Sequence, residues 1–287
     1  MTPLVALAVL TAAAVHAGWN AIAHRIRDQL VAFTLIGAAD VLCGGLIAAA
    51  APVPAPASWP YLLASVVLHT GYQALLMQAF RLGDFGQVYP IARGTAPLVV
   101  TVLALVVVNE RPGFWQTAGV AVACAGLCGL ALWGVRRRAP GSAPPTQPAL
   151  LAAFATGCAI AVYTVVDGLG VRASGTPLGY TGWLVALMGP VIPLYALAVR
   201  RGRLLAQLRP AARLGLLGGV MSTAAYGLVL WAQTRAPLAP VAALRESSII
   251  AGAAIGAVVF KERFGAARVV AAALMASGIA LMLTGSS

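Results

Sequence analysis

Apolar runs of about twenty residues, separated by short polar or proline-containing loops, recur along the whole chain. A helix needs roughly 20 apolar residues to cross about 30 Å of hydrocarbon, and ten runs approach that length. They lie near Pro3 to Ala23, Leu30 to Ala50, Trp59 to Phe80, Gln87 to Val108, Trp115 to Val135, Ala149 to Gly168, Leu178 to Val199, Leu214 to Thr234, Leu238 to Phe260 and Ala266 to Leu283. Residues 136–148, rich in Pro, Ser and Arg, read as a hydrophilic linker between a first five-helix unit, 1–135, and a second, 149–287. The expected fold is therefore an all-α integral membrane protein of ten transmembrane helices.

The second unit repeats the first. A shift of 152 carries Arg93 onto Arg245, Val106-Val107 onto Val258-Val259, Glu110-Arg111 onto Glu262-Arg263, Gly113 onto Gly265 and Gly126 onto Gly278. Apolar matches mean little in such a sequence, but charged matches carry weight when only 9% of residues are charged. At a shift of 144, Trp19-Asn20 fall opposite Tyr163-Thr164. Five spans per unit is an odd number, so tandem copies sit in the membrane in opposite senses. The ten helices are expected to form two inverted five-helix repeats around a central cavity.

Composition removes the soluble alternatives. The chain is 61% hydrophobic with a mean hydropathy of +0.90, against about 45–50% apolar in soluble domains. The formal charge of +12 comes from cations in short loops, which points to lipid headgroups rather than nucleic acid as the partner. Loops after odd-numbered runs hold fourteen Lys/Arg and loops after even-numbered runs three, so the positive-inside rule places both termini outside. Cys43, Cys124, Cys128 and Cys158 all fall inside apolar runs and read as small packing residues. The first run lacks a basic signal-peptide leader and is expected to remain as a helix. No nucleophile with a base, Gly-rich phosphate loop or His/carboxylate metal cluster stands out, so neither an enzyme nor a cofactor is expected.

Few polar groups lie deep in the runs, and each costs insertion energy, about 2.5–3.5 kcal/mol for a charge at the bilayer centre. Arg93 and Arg245 stand about six residues into their helices. They either snorkel or ion-pair with Asp40, Asp167 or Glu246, or else line the cavity as pseudo-symmetric anchors. The planar guanidinium fork suits a carboxylate or phosphate. Glu246 is expected to point about 100° away from Arg245 on a regular helix, so a zwitterion suits both. His16, Trp19 and Asn20 share one helical face, as do His69, Tyr72 and Gln73, Tyr89 with Arg93, and Tyr163 with Asp167. Together with Arg93, Arg245 and Glu246, the residues His16, Trp19, Asn20, Tyr72, Tyr89 and Tyr163 are candidate substrate contacts. Asp40, Glu246 and Asp167 are candidates to carry a coupling proton. Glu110-Arg111 and Glu262-Arg263 close their helices and read as turn staples, each acid held by the next helix N-terminus or by the adjacent arginine.

At these residues the chain resembles EamA-type transporters of the drug/metabolite transporter superfamily. The resemblance rests on His16-Ala17-Gly18-Trp19-Asn20, on Tyr89-Pro90-Ile91-Ala92-Arg93-Gly94-Thr95-Ala96-Pro97, and on the two Glu motifs ending Asn109-Glu110-Arg111 and Lys261-Glu262-Arg263. Asn109 and Lys261 stand where the family often has glycine, and Ile249 stands opposite Pro97. The resemblance implies an inner-membrane carrier of amino acids, other small metabolites or drugs, with cytoplasmic termini, the reverse of the charge count. The expected function is secondary transport, without ATP, of a small anionic or zwitterionic metabolite such as an amino acid, driven by a proton or counter-substrate or running passively. The alternatives are a lipophilic-cation exporter of the same fold and an intramembrane enzyme acting on lipid.

Overall fold

Helix starts follow the local chemistry of the chain. Pro3 occupies the first turn of α1 (Pro3–Arg25), where Thr2 accepts a hydrogen bond from the Val5 N–H. Asp28 does the same for the Leu30 and Val31 N–H groups of α2 (Gln29–Ala50) and also holds Arg200 at 2.8 Å. Thr146 and Thr176 cap α6 (Gln147–Ala173) and α7 (Pro177–Met188). Such caps satisfy N–H groups that have no partner inside the helix. The computed structural model describes residues 1–82, 85–136, 146–251 and 266–284, and the described elements are all helical. The remaining helices are α3 (Trp59–Leu82), α4 (Phe85–Val106), α5 (Phe114–Arg136), α8 (Val191–Arg200), α9 (Leu204–Leu208), α10 (Ala212–Gln233), α11 (Leu238–Arg245) and α12 (Ala266–Thr284).

Four described stretches are long and apolar enough to cross a membrane: Pro3–Ala23, Gln29–Ala50, Gln147–Ala173 and Pro177–Gln233. Their outward faces are apolar too, with Leu42, Leu46, Leu151 and Leu194 exposed, the pattern expected where the solvent is lipid. The first six runs appear as α1 to α6, with ends shifted by a few residues. The seventh is broken into α7 and α8, because Pro190 and Pro193 have no N–H to offer the carbonyls of Ala186 and Gly189. The ninth run, expected to be continuous to Phe260, leaves α-helical geometry at Arg245. There the N–H groups of Glu246 and Ser247 reach back only three residues, to Ala243 and Leu244. Gly252, Gly256, Glu262 and Arg263 lie outside the described residues.

Helix pairing repeats itself between the two units. α3 packs on α6 and α10 packs on α1, while α2 pairs with α7 and α5 with α12. The last two contacts are backbone to backbone. A Cβ on Gly44 would lie 2.6 Å from the Ala186 nitrogen, and one on Gly37 would lie 2.5 Å from the Gly189 oxygen. Gly119 and Gly278 face each other likewise, each within 2.6 Å of the other's carbonyl oxygen had it a Cβ. Without a hydrophobic drive between helices in lipid, such close approach is what holds them.

Gly278→Val should destabilise the protein by about 1–3 kcal/mol through overpacking, read as a lower unfolding temperature in detergent. Gly129→Ala, where a Cβ meets nothing within 4 Å, should be neutral or mildly stabilising.

Candidate functional site

The break after Arg245 brings three charged side chains together. Arg93 Nε of α4 lies 2.7 Å from Glu246 Oε2, a charge contact rather than an aligned hydrogen bond, and Arg93 Nη2 donates to Ser248 Oγ at 3.0 Å. Arg245 Nε approaches the other oxygen of Glu246 at 3.8 Å. On a regular helix these neighbours would diverge, and the tightened turn is what lets them meet. All three residues are buried, Glu246 completely. Two guanidinium groups thus share one carboxylate. The shift of 152 places Gly94 opposite Glu246 and Ala96 opposite Ser248, so the arginines are duplicated and their partners are not.

Beside Arg93 lies a cavity of about 290 Å³, lined among the described residues by α1, α2, α3, α4, α6, α7 and α10. Contacts at Gly18 with Met221 and at Gly218 with Ile22 show that α1 and α10 run antiparallel. The cavity runs from the end of the bundle holding the α1–α2 turn, at Asn20, Ala23 and Gln29, to mid-bundle at Arg93, Tyr163 and Tyr226. Most of its wall comes from the first unit. Helices α2 and α7 contribute Gln29, Phe33, Ile36, Asp40, Val185 and Met188 to it. The ninth run, expected to line it, supplies none of the lining residues in its described part.

His16, Trp19 and Asn20 line the cavity together. Trp19 Nε1 donates to His16 Nδ1 at 3.2 Å, which leaves Nε2 as the protonated nitrogen of a neutral ring, and Asn20 Nδ2 donates to the His16 carbonyl at 2.8 Å. Tyr72 and Tyr163 also line it, with rings 5.4 Å apart. Arg245 stands behind Tyr163, its guanidinium 6.0 Å from the ring centroid, and it is not among the lining residues. Glu246 and Asp167 are also behind the wall. Asp167 accepts from the hydroxyls of Tyr180 and Tyr226. Asp40 does reach the wall. The side chain of Tyr89 lies outside the described residues.

His69, Gln73 and Tyr226 are among the wall residues that were not sequence candidates. His69, which contacts Ser65 and stacks 4.0 Å from Tyr163, shares its helical face with Tyr72, and that spacing was the available signal. Gln73 belongs to the same face. Tyr226 lies three residues after Thr223 in an apolar helix, a comparable but weaker sign.

At the opposite end the bundle is tied shut. Asn109 adopts φ 55, and the Glu110 N–H reaches back to the Ala104 carbonyl at 3.0 Å, a left-handed helix ending that glycine or asparagine favours. This turn aims Glu110 across the bundle. One carboxylate oxygen accepts the Leu238 N–H at 2.7 Å, at the otherwise uncapped start of α11. The other meets Arg172 at 2.5 Å. Arg172 in turn donates to the carbonyls of Gln233 and Ala236. Glu110 is therefore held by α6 and α11, not by the following helix or by Arg111, which is exposed.

A family profile described as the EamA-like transporter family matches residues 3–132 and again 147–284. The chain belongs to that family. Two matched segments account for the repeat seen in the sequence, and an EamA-like protein with these apolar helices is a multi-pass integral membrane protein. One solved crystal structure superposes over 100% of both chains with a TM-score of 0.71 at 18% identity, which shows a shared fold. No curated protein matches the chain significantly.

Removing one member of a buried ion pair strands its partner and typically costs about 3–5 kcal/mol. Glu246→Ala should therefore lower the unfolding temperature sharply, whereas Asn109→Gly should leave it unchanged and Asn109→Val should lower it through left-handed strain.

Proposed function

We propose that this EamA-like protein is a secondary transporter of a small anionic or zwitterionic metabolite, of which an amino acid is an example. It works by alternating access between two inverted five-helix repeats, ten spans in all, divided near residues 136–148. The pairing of helices supports the inversion: exchanging the units turns the α3–α6 contact into the α10–α1 contact, and maps α2–α7 and α5–α12 onto themselves.

The observation that carries the cargo class is Arg93 on the cavity wall, one of two buried guanidinium groups with a single carboxylate between them. Its guanidinium presents a planar donor fork at the wall, which suits an entering carboxylate or phosphonate. Tyr72, Tyr163 and Tyr226 offer aromatic faces to an ammonium at the other end of a zwitterion. A volume near 290 Å³ is at the bottom of the roughly 300–1,000 Å³ typical of small-molecule pockets, which favours a compact metabolite over a bulky lipophilic drug. The cavity reaches the cation-rich end of the bundle, cytoplasmic by the positive-inside rule. The clamp around Glu110 and Arg172 keeps the far end closed. Localisation in the inner membrane of the cell follows from this reading.

Ligands that bind the native state raise apparent stability. The purified protein should be stabilised by amino acids or organophosphonates, and the shift should vanish in Arg93→Ala while the variant remains folded. Stabilisation by lipophilic cations alone, unaffected by Arg93→Ala, would reject the anionic cargo in favour of a drug exporter.

A further inference from the structure

Of the buried carboxylates, two are already occupied by strong partners. Glu246 lies between Arg93 and Arg245, and Asp167 is completely buried behind the hydroxyls of Tyr180 and Tyr226. Asp40 differs. It is mid-way along α2, 5% exposed, at the cavity wall, and takes part in none of the ion pairs among the described residues. Its described hydrogen bond comes from the Thr223 hydroxyl of α10, 2.7 Å from Oδ1.

Asp40 also borders a second, smaller space of about 20 Å³, shared with Gly37, Gln73 and Gly189. That exceeds the roughly 10–15 Å³ needed for one water. The carboxylate thus stands between the main cavity and a water-sized recess, at the α2–α10 contact where the first unit meets the second. The other titratable or charged groups lining the same cavity are His16 from α1, His69 and Tyr72 from α3, Arg93 from α4, Tyr163 from α6 and Tyr226 from α10. Helix α7 presents only Val185 and Met188 to the cavity, and Cys43 neighbours Asp40 on its own helix.

We infer that Asp40 is the proton-carrying group of the transport cycle, with hydronium in the cavity as donor, and that cargo movement is coupled to a proton gradient through it. The inference rests on the transporter reading above. Hydronium in the cavity gives a proton to the oxygen that Thr223 does not hold, its own O–H bond breaking to leave water as the carboxylate becomes carboxylic acid. Once the units have exchanged access the acid's O–H bond breaks and the proton passes to water, regenerating hydronium and the carboxylate. A charged carboxylate without a cation is costly within hydrocarbon. Protonation removes that cost during the step in which the α2–α10 contact moves, so the movement becomes dependent on the proton.

Infrared titration of the reconstituted protein reads the group without any cargo. Acidification should produce a carboxylic-acid band that is lost in Asp40→Asn, kept in Asp167→Asn, and titrated at a different pH in Thr223→Val. A band unchanged in both Asp40→Asn and Thr223→Val overturns the assignment. In vesicles, a mixture of radiolabelled amino acids should accumulate under an imposed pH gradient with wild-type protein, and fall to simple equilibration in Asp40→Asn. Wild-type counterflow of the mixture without gradient-driven accumulation overturns the coupling while leaving transport intact. Accumulation that persists in Asp40→Asn also overturns it, and absence of counterflow by the wild type removes the transporter reading for these solutes along with the coupling.

Discussion

Two cations buried at hydrocarbon depth demand a negative charge, and among the described residues Glu246 lies against both. Arg93 comes from the first unit, while Arg245, Glu246 and Ser248 come from the second. The compensation therefore ties the units to each other at mid-bundle. It also dictates backbone shape: Arg245 and Glu246 reach one another only because the helix tightens after Leu244. A buried pair of this kind is poor evidence of net stabilisation, since desolvation offsets much of the attraction. Its importance lies in what fails without it, and in the guanidinium it holds at the cavity wall.

Duplication set the frame, and divergence within it made the site. The self-paired contacts α2–α7 and α5–α12 keep glycine against backbone on both sides, which preserves the relative placement of the units. The cavity does not share that symmetry. α1, α2 and α3 supply most of its wall, and the second unit places its charged turn behind the lining. Gly94 and Ala96, standing opposite Glu246 and Ser248, record where the copies parted.

Much of this was legible from residues alone. Twenty-residue apolar runs fix where helices lie, and a charged residue inside one announces a polar interior, so Arg93, Asp40 and the His16-Trp19-Asn20 face could be picked out. Periodicity assigns a residue to a face of its own helix but does not name the helix opposite. Arg245 accordingly proved to stand behind Tyr163. Glu110 proved to bridge the units instead of stapling its own turn. The break at Glu246 was also invisible, because no proline or glycine stands at Arg245, Glu246 or Ser247 to mark it.

The capping of α11 by Glu110 has a consequence for how the protein is made. Pro237 precedes α11 without a side-chain cap of its own, and the group that substitutes lies 128 positions earlier in the chain. During synthesis the carboxylate that accepts the Leu238 N–H is already in the bilayer when α11 emerges, so the late helix finds its starting point prepared. Reversing the order of the two units, or producing the second by itself, leaves that N-terminus without the Glu110 cap until a partner arrives. The gene's present order is thus also an assembly schedule.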